Sequence, residues 1–171
     1  LVFGGQKTPP APSMSANSES YNGTSWTETN DLNTAKYLLS GSGTSTAALA
    51  FAGDTDPGLK AETESWNGTS WTEVNDLNTA RSSVYGFGTQ TSALCFGGYD
   101  GSNTAKTEDW NGASWAETSD TNSTRSASAG SKNGNTTNGF AFGGNVGGTP
   151  YSTVTEQWSS TSNTTKTIST D

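Results

Sequence analysis

A period of about 45 residues runs through the whole chain and limits its fold more than any other feature. A Phe followed by Gly-Gly or Ala-Gly occurs once per period, at Phe3, Phe51, Phe96 and Phe142. The intervals between these residues are 48, 45 and 46. A second aromatic marker precedes a turn in each period, at Tyr21, Trp66, Trp110 and Trp158. Four copies of one unit of this length predict a repeat architecture with the same short elements in each unit.

The composition favours strands in each unit. Hydrophobic residues make up only 29% of the chain, which by itself is typical of disorder, but the repeat favours a folded protein. Ser, Thr, Asn and Gly dominate, while six Trp, six Phe and five Tyr supply bulk. Thr and aromatic residues fit pleated, half-buried surfaces, and the long helix formers Leu, Lys, Glu and Gln are scarce. We therefore expect an all-β fold.

The third unit shows four strand-like segments, at 81–88, 92–96, 106–110 and 113–117. The second segment is apolar on both faces, as its counterpart Ala47–Phe51 is in the unit before. A strand needs this pattern when neighbouring sheets cover it on both sides. With the period, the pattern predicts a β-propeller of four-stranded antiparallel blades, in units of about 1–35, 36–80, 81–124 and 125–171.

An Asn-Gly pair recurs between the third and fourth strands, at Asn22-Gly23, Asn67-Gly68 and Asn111-Gly112. Asn-Gly is a strong hairpin signal because both residues tolerate the positive φ of a type I′ turn. An aromatic precedes each pair and a Trp follows the Gly by three residues. We expect these two rings, such as Trp110 and Trp115, to pack on each other across the hairpin.

These motifs resemble the kelch repeat, whose blade carries Gly-Gly after its second strand, then an aromatic and then a Trp. Gly97-Gly98, Trp110 and Trp115 match that pattern, and the resemblance covers essentially the whole chain. The sequence departs from it in a shorter aromatic-to-Trp interval, in Ala52-Gly53, and at Asn163, which stands where the last Trp would be. The polar, repetitive style also resembles appendage proteins of marine phages and viruses. These resemblances imply a kelch-like propeller on an extracellular appendage.

The strand count is one short of four complete blades. The first unit lacks a first strand, and the segment around Ile168 is expected to supply the last fourth strand. The second strand at Leu1 to Phe3 would then have an open edge, which invites another strand. We expect these 171 residues to belong to a larger or oligomer-completed ring. Further repeats of the same chain or oligomer neighbours are the expected partners.

The charge and the side-chain inventory exclude several functions. The net charge is −8 with no cluster of Lys and Arg, whereas nucleic-acid binding needs a basic surface. No apolar run approaches the roughly 18 residues of a membrane span. The chain has no His, which removes the usual nucleophilic triads and the commonest metal ligand. Cys95 is the single cysteine and lies in an apolar strand, so we expect a buried, inert thiol. We predict no enzyme activity, no metal site and no cofactor.

Several carboxylates are candidates for metal binding or acid/base chemistry. The loop 54–58 could hold Ca²⁺ through its oxygens, although it lacks the spacing of a known calcium loop, and a solvated turn is favoured. Glu62 and Glu64 could form an acid/base pair, but the repeat gathers no equivalents around them. Lys36, Arg81 and Arg125 recur where first strands are expected to begin, and Glu28, Glu73 and Glu117 recur on fourth strands. We expect the recurring cations to make a blade-to-blade ion pair or hydrogen bonds to loop carbonyls.

The connections between the second and third strands (hereafter the 2–3 loops) are the part of the unit that varies completely. Variable loops on a rigid scaffold are where recognition concentrates. Aromatic and polar residues in these loops could stack on and hydrogen-bond a sugar: Asp54, Asp56, Tyr99, Asp100, Asn145 and Tyr151. We therefore expect a non-enzymatic adhesion or assembly module of a virion fibre or cell surface that binds a glycan or protein. The alternatives are a structural repeat without a ligand and a carboxylate-dependent glycan-active enzyme.

Overall fold

The computed structural model describes residues 1–7, 13–55, 57–131, 134–147, 151–159 and 166–168. These residues form short antiparallel strands joined by turns, and no helix occurs among them. Accordingly, no helix in these ranges could cross a membrane. The all-β prediction is confirmed.

The strands form four sheets that follow each other along the chain. Sheet I contains β1 (Val2–Phe3), β4 (Ser18–Tyr21) and β5 (Trp26–Thr29). Sheet II contains β6 (Ser40–Gly43), β7 (Ala48–Phe51), β10 (Thr63–Trp66) and β11 (Trp71–Val74). Sheet III contains β12 (Tyr85–Gly88), β13 (Ala93–Phe96), β14 (Thr107–Trp110) and β15 (Trp115–Thr118). Sheet IV contains β16 (Ala129–Gly130), β17 (Asn138–Phe142), β18 (Thr155–Ser159) and β19 (Lys166–Ile168). Two small ribbons lie in 2–3 loops: β2 (Gln6–Lys7) with β3 (Ser13–Met14), and β8 (Asp54–Thr55) with β9 (Gly58–Leu59).

Each sheet pairs its strands in chain order, as one meander per unit. Sheet I has three strands within the described residues, because β1 is a second strand with no first strand beside it. The segment around Ile168 supplies the fourth strand of sheet IV, as expected. The first strands begin later than predicted: β12 starts at Tyr85 rather than Arg81 because Ser83 has a left-handed φ of 53° that interrupts extended backbone.

The turn between the third and fourth strands differs from the predicted type I′ turn. Trp110 pairs with Trp115, so four residues form the loop rather than two. Gly112 has a φ of +95°, whereas Asn111 does not take a positive φ. The Asn111 side chain instead accepts hydrogen bonds from the backbone N–H groups of Ala113 and Ser114, both at 2.9 Å. The Asn is therefore selected for its side-chain oxygen, as in other Asx turns.

Successive sheets pack face to face through one repeated contact. The Phe51 ring on β7 meets the Trp115 ring of sheet III edge-on, with 5.1 Å between centroids. Trp115 Nε1 also donates to Thr63 Oγ1 on sheet II at 3.0 Å. Phe3, Trp71 and Ser18 repeat this arrangement between sheets I and II. The buried core is thus divided into layers between neighbouring sheets.

The first strands of sheets II, III and IV lie next to one another. Gly86 on β12 is required there, since a Cβ at this position would lie 2.5 Å from the Phe51 ring. In sheets II, III and IV, the third strand carries Trp66, Trp110 or Trp158 at or near its last residue. There the indole N–H donates to a carbonyl of the hairpin between strands one and two of the same sheet. The hairpins between strands one and two therefore lie where the third strands end. The 2–3 loops lie at the opposite edge of the sheets, where the third strands begin.

Candidate ligand-binding face

A repeated backbone contact fixes the edge that carries the 2–3 loops. In each of sheets II to IV, the residue after the Gly-Gly or Ala-Gly pair forms an antiparallel bridge with the residue after the recurring cation. The bridged pairs are Tyr37 with Asp54, Ser82 with Tyr99, and Ser126 with Asn145. Three of the predicted site residues therefore occupy one position of the repeat. The backbone bridge at this position is the same in sheets II, III and IV, while the side chain differs.

A groove lies between the two ribbons of neighbouring 2–3 loops. It has a volume of about 420 Å³, and its walls include Gln6 and Met14 from the first ribbon and Asp54 from the second. Tyr37 contributes its half-buried ring. The groove thus offers an aromatic face, a carboxylate and an amide to one ligand. Asp54 is one of the residues predicted from the sequence, whereas Tyr37 is not, although it directly follows the recurring cation Lys36.

A second group of predicted residues lies in the loops of sheets III and IV. Tyr99 is 44% exposed. Asn103, which bridges back to Tyr99, donates from Nδ2 to the backbone carbonyl of Asn145 at 2.8 Å. Asp100 accepts a hydrogen bond from Lys106 Nζ at 2.9 Å, and this bond lowers the pKa of the Asp100 carboxyl. The two loops therefore touch, but the Asp100 charge already has a partner.

Two further site residues, Tyr151 and Asp56, were predicted. Tyr151 is 68% exposed, and Asp56 lies outside the described residues. The structure thus links Tyr99, Asp100 and Asn145 through adjoining loops, and it sets Asp54 in the groove with Tyr37. Among the residues with described positions, no three carboxylate or thiol groups lie close enough together to hold a metal ion.

The recurring cations form ion pairs, but each pair lies within one unit rather than between blades as predicted, and its carboxylate is not a glutamate of the fourth strand. Arg81 Nη2 donates to Glu108 Oε1 at 2.8 Å, and Arg125 pairs with Glu156 in the same way. Lys36 Nζ lies 3.3 Å from Glu64 Oε1. All three carboxylates are on third strands and fully buried. Glu28, Glu73 and Glu117 are exposed instead.

This arrangement excludes the acid/base pair considered for Glu62 and Glu64. Glu64 is neutralised by Lys36, and Asn33 donates to its Oε2 from the backbone N–H and from Nδ2, at 2.7 and 2.9 Å. Glu62 pairs with Lys60 at 3.3 Å instead. Cys95 is fully buried, and burial raises the pKa of its thiol to about 11. These groups therefore belong to the scaffold.

No protein-family model matches the sequence, and no curated protein matches it either. Similarity is found with solved structures, of which 131 chains match. One of them, YjhT, matches with a TM-score of 0.72 over 91% of this chain at 12% sequence identity. This chain spans about half of that protein, 53% of its length. The comparison shows that the two share a fold.

Proposed function

We propose that the chain is a segment of a kelch-like β-propeller that acts as a non-enzymatic adhesion or assembly module. Four features support the architecture: the repeated four-stranded meander, the face-to-face packing of successive sheets, the neighbouring first strands and the even period. An experimental structure tests it. Sheets radiating from a shared axis with first strands innermost would support the propeller, and sheets joined edge to edge would overturn it.

The observation that carries the function is the bridged position after each Gly-Gly or Ala-Gly pair. Its backbone contact is the same in three units, while the side chain is Asp54, Tyr99 or Asn145. A scaffold that fixes the backbone at the start of each variable loop and changes the side chain there is suited to recognition. We infer an extracellular setting, such as a virion fibre or appendage, with a cell-surface glycan or protein as the ligand.

The groove favours a glycan over a flat protein surface. Its volume of about 420 Å³ lies within the roughly 300–1,000 Å³ that is usual for small-ligand sites. Tyr37 can stack on the apolar face of a sugar ring, while Asp54 and Gln6 can hydrogen-bond its hydroxyl groups. The proposed glycan site is therefore the groove between the two ribbons.

A glycan array followed by calorimetry with the best sugar tests this site. Asp54→Ala and Tyr37→Ser should each weaken binding at least about tenfold, since each removes one of the groove's main contacts. Thr24→Ala is the control, because Thr24 lies at the opposite edge and should leave the affinity unchanged. An array with no specific signal would overturn the glycan proposal and favour a structural repeat without a ligand. Mass spectrometry of the bound sugar would detect cleavage, which would contradict a non-enzymatic module.

The ring itself is proposed to be completed by further repeats of this kind or by oligomer neighbours. Sheet I lacks a first strand within the described residues, and Trp26 on its β5 is 52% exposed. At the other end of the chain, Phe142 on β17 is 41% exposed. A Phe and a Trp at these positions contact each other where sheet I packs on sheet II and where sheet II packs on sheet III. Each end therefore carries half of the repeated interface.

A further inference from the structure

Each of sheets II to IV contains a buried station for one cation. In sheet III, Arg81 Nη1 donates to the carbonyls of Gly97 and Lys106 at 3.2 and 2.6 Å, while Nη2 binds Glu108. Arg125 makes the same set of bonds in sheet IV. In sheet II, Lys36 Nζ reaches the Glu62 carbonyl at 3.5 Å and the Glu64 carboxylate. A station therefore consists of a third-strand carboxylate and nearby backbone carbonyls.

The segment that supplies the cation has a constant form. Two residues after the cation, the backbone turns through a left-handed conformation, at Leu38, Ser83 and Ala127. Four residues after the cation, the first strand begins, as β6, β12 or β16. That strand then pairs along the second strand of its sheet. Cation and first strand thus dock as one extended segment.

Within the described residues, sheet I has the accepting half of this station and no segment paired with it. In the strand register of sheet I, Glu19 lies opposite Val2 on β1 and Glu28 on β5. Glu64 has the same register in sheet II, opposite Ala50 and Glu73. Glu19 is exposed, whereas its three counterparts are fully buried. Gly4 N–H binds the Asn17 carbonyl at 3.0 Å, as Gly97 N–H binds the Lys106 carbonyl. The backbone acceptors are therefore in place around a carboxylate that no described cation covers.

The space for the missing strand is also present. In the described residues, β1 pairs on one side only, with β4, and Val2 is 46% exposed. A cavity of about 290 Å³ is lined by Leu1, Phe3, β6 and β12. An unpaired strand edge next to an open cavity is a template for another strand.

We propose that sheet I binds an extended segment in which a Lys or Arg is followed four residues later by a strand with Gly at its second position, as in β6, β12 and β16. The cation binds Glu19 and the carbonyls of Gly4 and Asn17, and the strand pairs with β1. The three occupied stations within the molecule identify this partner, because they hold the same segment on equivalent residues. The proposal rests on the proposed propeller, in which the segment comes from a neighbouring repeat of this type.

A labelled peptide with the sequence of residues 76–88 tests the site by fluorescence anisotropy against the whole chain. We expect saturable binding, together with slower amide hydrogen exchange in β1. Arg81→Met in the peptide should weaken binding at least about tenfold. Glu19→Gln in the protein should do the same, and the two changes together should cost little more than either alone, because they remove the same contact.

Glu73→Gln is the matched control, since it removes one exposed carboxylate from the corresponding hairpin of sheet II. It should leave the peptide affinity within about twofold. No saturable binding up to about 1 mM peptide would overturn the proposal. So would equal binding of the Arg81→Met peptide, or an equal loss with Glu73→Gln. Glycan binding by the unchanged protein separates the two proposals: if the glycan binds while the peptide does not, only the docking site is wrong.

Discussion

The Trp that ends the aromatic hairpin is buried in two units and exposed in the first. Trp71 and Trp115 are 5% and 6% exposed, whereas Trp26 is 52% exposed. All three face an aromatic partner across their own hairpin, at centroid distances of 5.0 to 5.4 Å. What differs is the sheet in front: Phe3 covers Trp71 and Phe51 covers Trp115. The burial of these tryptophans is thus set by the neighbouring unit.

Trp71→Ala and Trp115→Ala should each lower the free energy of unfolding by about 3–5 kcal/mol, as for other buried Trp truncations. Each also removes the indole N–H that bonds Ser18 or Thr63. Trp26→Ala is the matched control and should cost less than about 1 kcal/mol, as is usual for an exposed site. Chemical denaturation measures all three. Equal losses for Trp26 and Trp71 would show that the hairpin, not the neighbouring sheet, provides the stabilisation.

The Cys95 thiol should be unreactive in the folded protein. It is fully buried, and burial raises the pKa of Cys95 to about 11, so almost no thiolate forms at pH 8. An aromatic disulfide reagent at pH 8 should therefore react only as fast as the protein unfolds. Adding denaturant should restore the rate of a free cysteine. Rapid reaction without denaturant would mean that the layer between sheets II and III opens readily.

At the scale of the element, the segment with the recurring cation joins two sheets. The Arg81 side chain binds Glu108 in sheet III, while its carbonyl accepts the Gly53 N–H from the end of sheet II at 2.9 Å. Lys36 and Arg125 join their sheets in the same way through Gly5 and Gly98. One residue therefore connects two neighbouring sheets, one through its side chain and the other through its backbone carbonyl.

Arg81→Met should lower the free energy of unfolding by about 3–5 kcal/mol, because it leaves the buried Glu108 carboxylate without its cation. Arg81→Met with Glu108→Leu should recover much of that loss, since no buried charge is then left unpaired. Lys106→Met is the control: it breaks the partly exposed pair with Asp100 and should cost at most about 1 kcal/mol. Denaturant melts compare the four proteins. A similar small loss for Arg81→Met and Lys106→Met would contradict the station's structural role.

Local signals in the sequence were sufficient for the second, third and fourth strands and for the aromatic pairs across hairpins, whereas the first strands begin four residues later than predicted. The period located every second strand, and the segment around Ile168 was identified by its place in the count. The partners of Arg81 and Lys36 could not be found in this way, because Glu108 and Glu64 are 27 and 28 residues further along the chain. Tyr37 was missed for the same reason: the groove exists only where two loops from different units meet.

At the scale of the whole molecule, the two end faces differ from the internal ones. Phe140 and Phe142 on sheet IV are 39% and 41% exposed, whereas Leu94 and Phe96 at the same positions of sheet III are 1% and 3% exposed. Tyr21 and Trp26 are exposed on sheet I. One end of the chain thus offers the Phe half of the repeated contact, and the other end offers the Trp half.

The chain expressed alone should associate head to tail as its concentration rises, which light scattering measures. Trp26→Ser and Phe142→Ser should each abolish association, since every contact needs one intact face of each kind. Mixed in equal amounts, the two variants should form dimers, because each supplies the face that the other lacks. A stable monomer of the unchanged chain at high concentration would contradict this prediction, and so would a monomeric mixture.

Each unit supplies one half of its contact with the next unit, and this has a consequence for the gain and loss of repeats. Asn22–Trp26 recurs identically as Asn67–Trp71, and Asp31–Ala35 as Asp76–Ala80, so a crossover between these copies would join identical residues. A crossover at equivalent points adds or removes one whole period. Every Lys or Arg then still meets its Glu, and the Phe–Trp contact is kept wherever the following unit has its second Trp. Repeat number can therefore change by recombination without any interface having to evolve again.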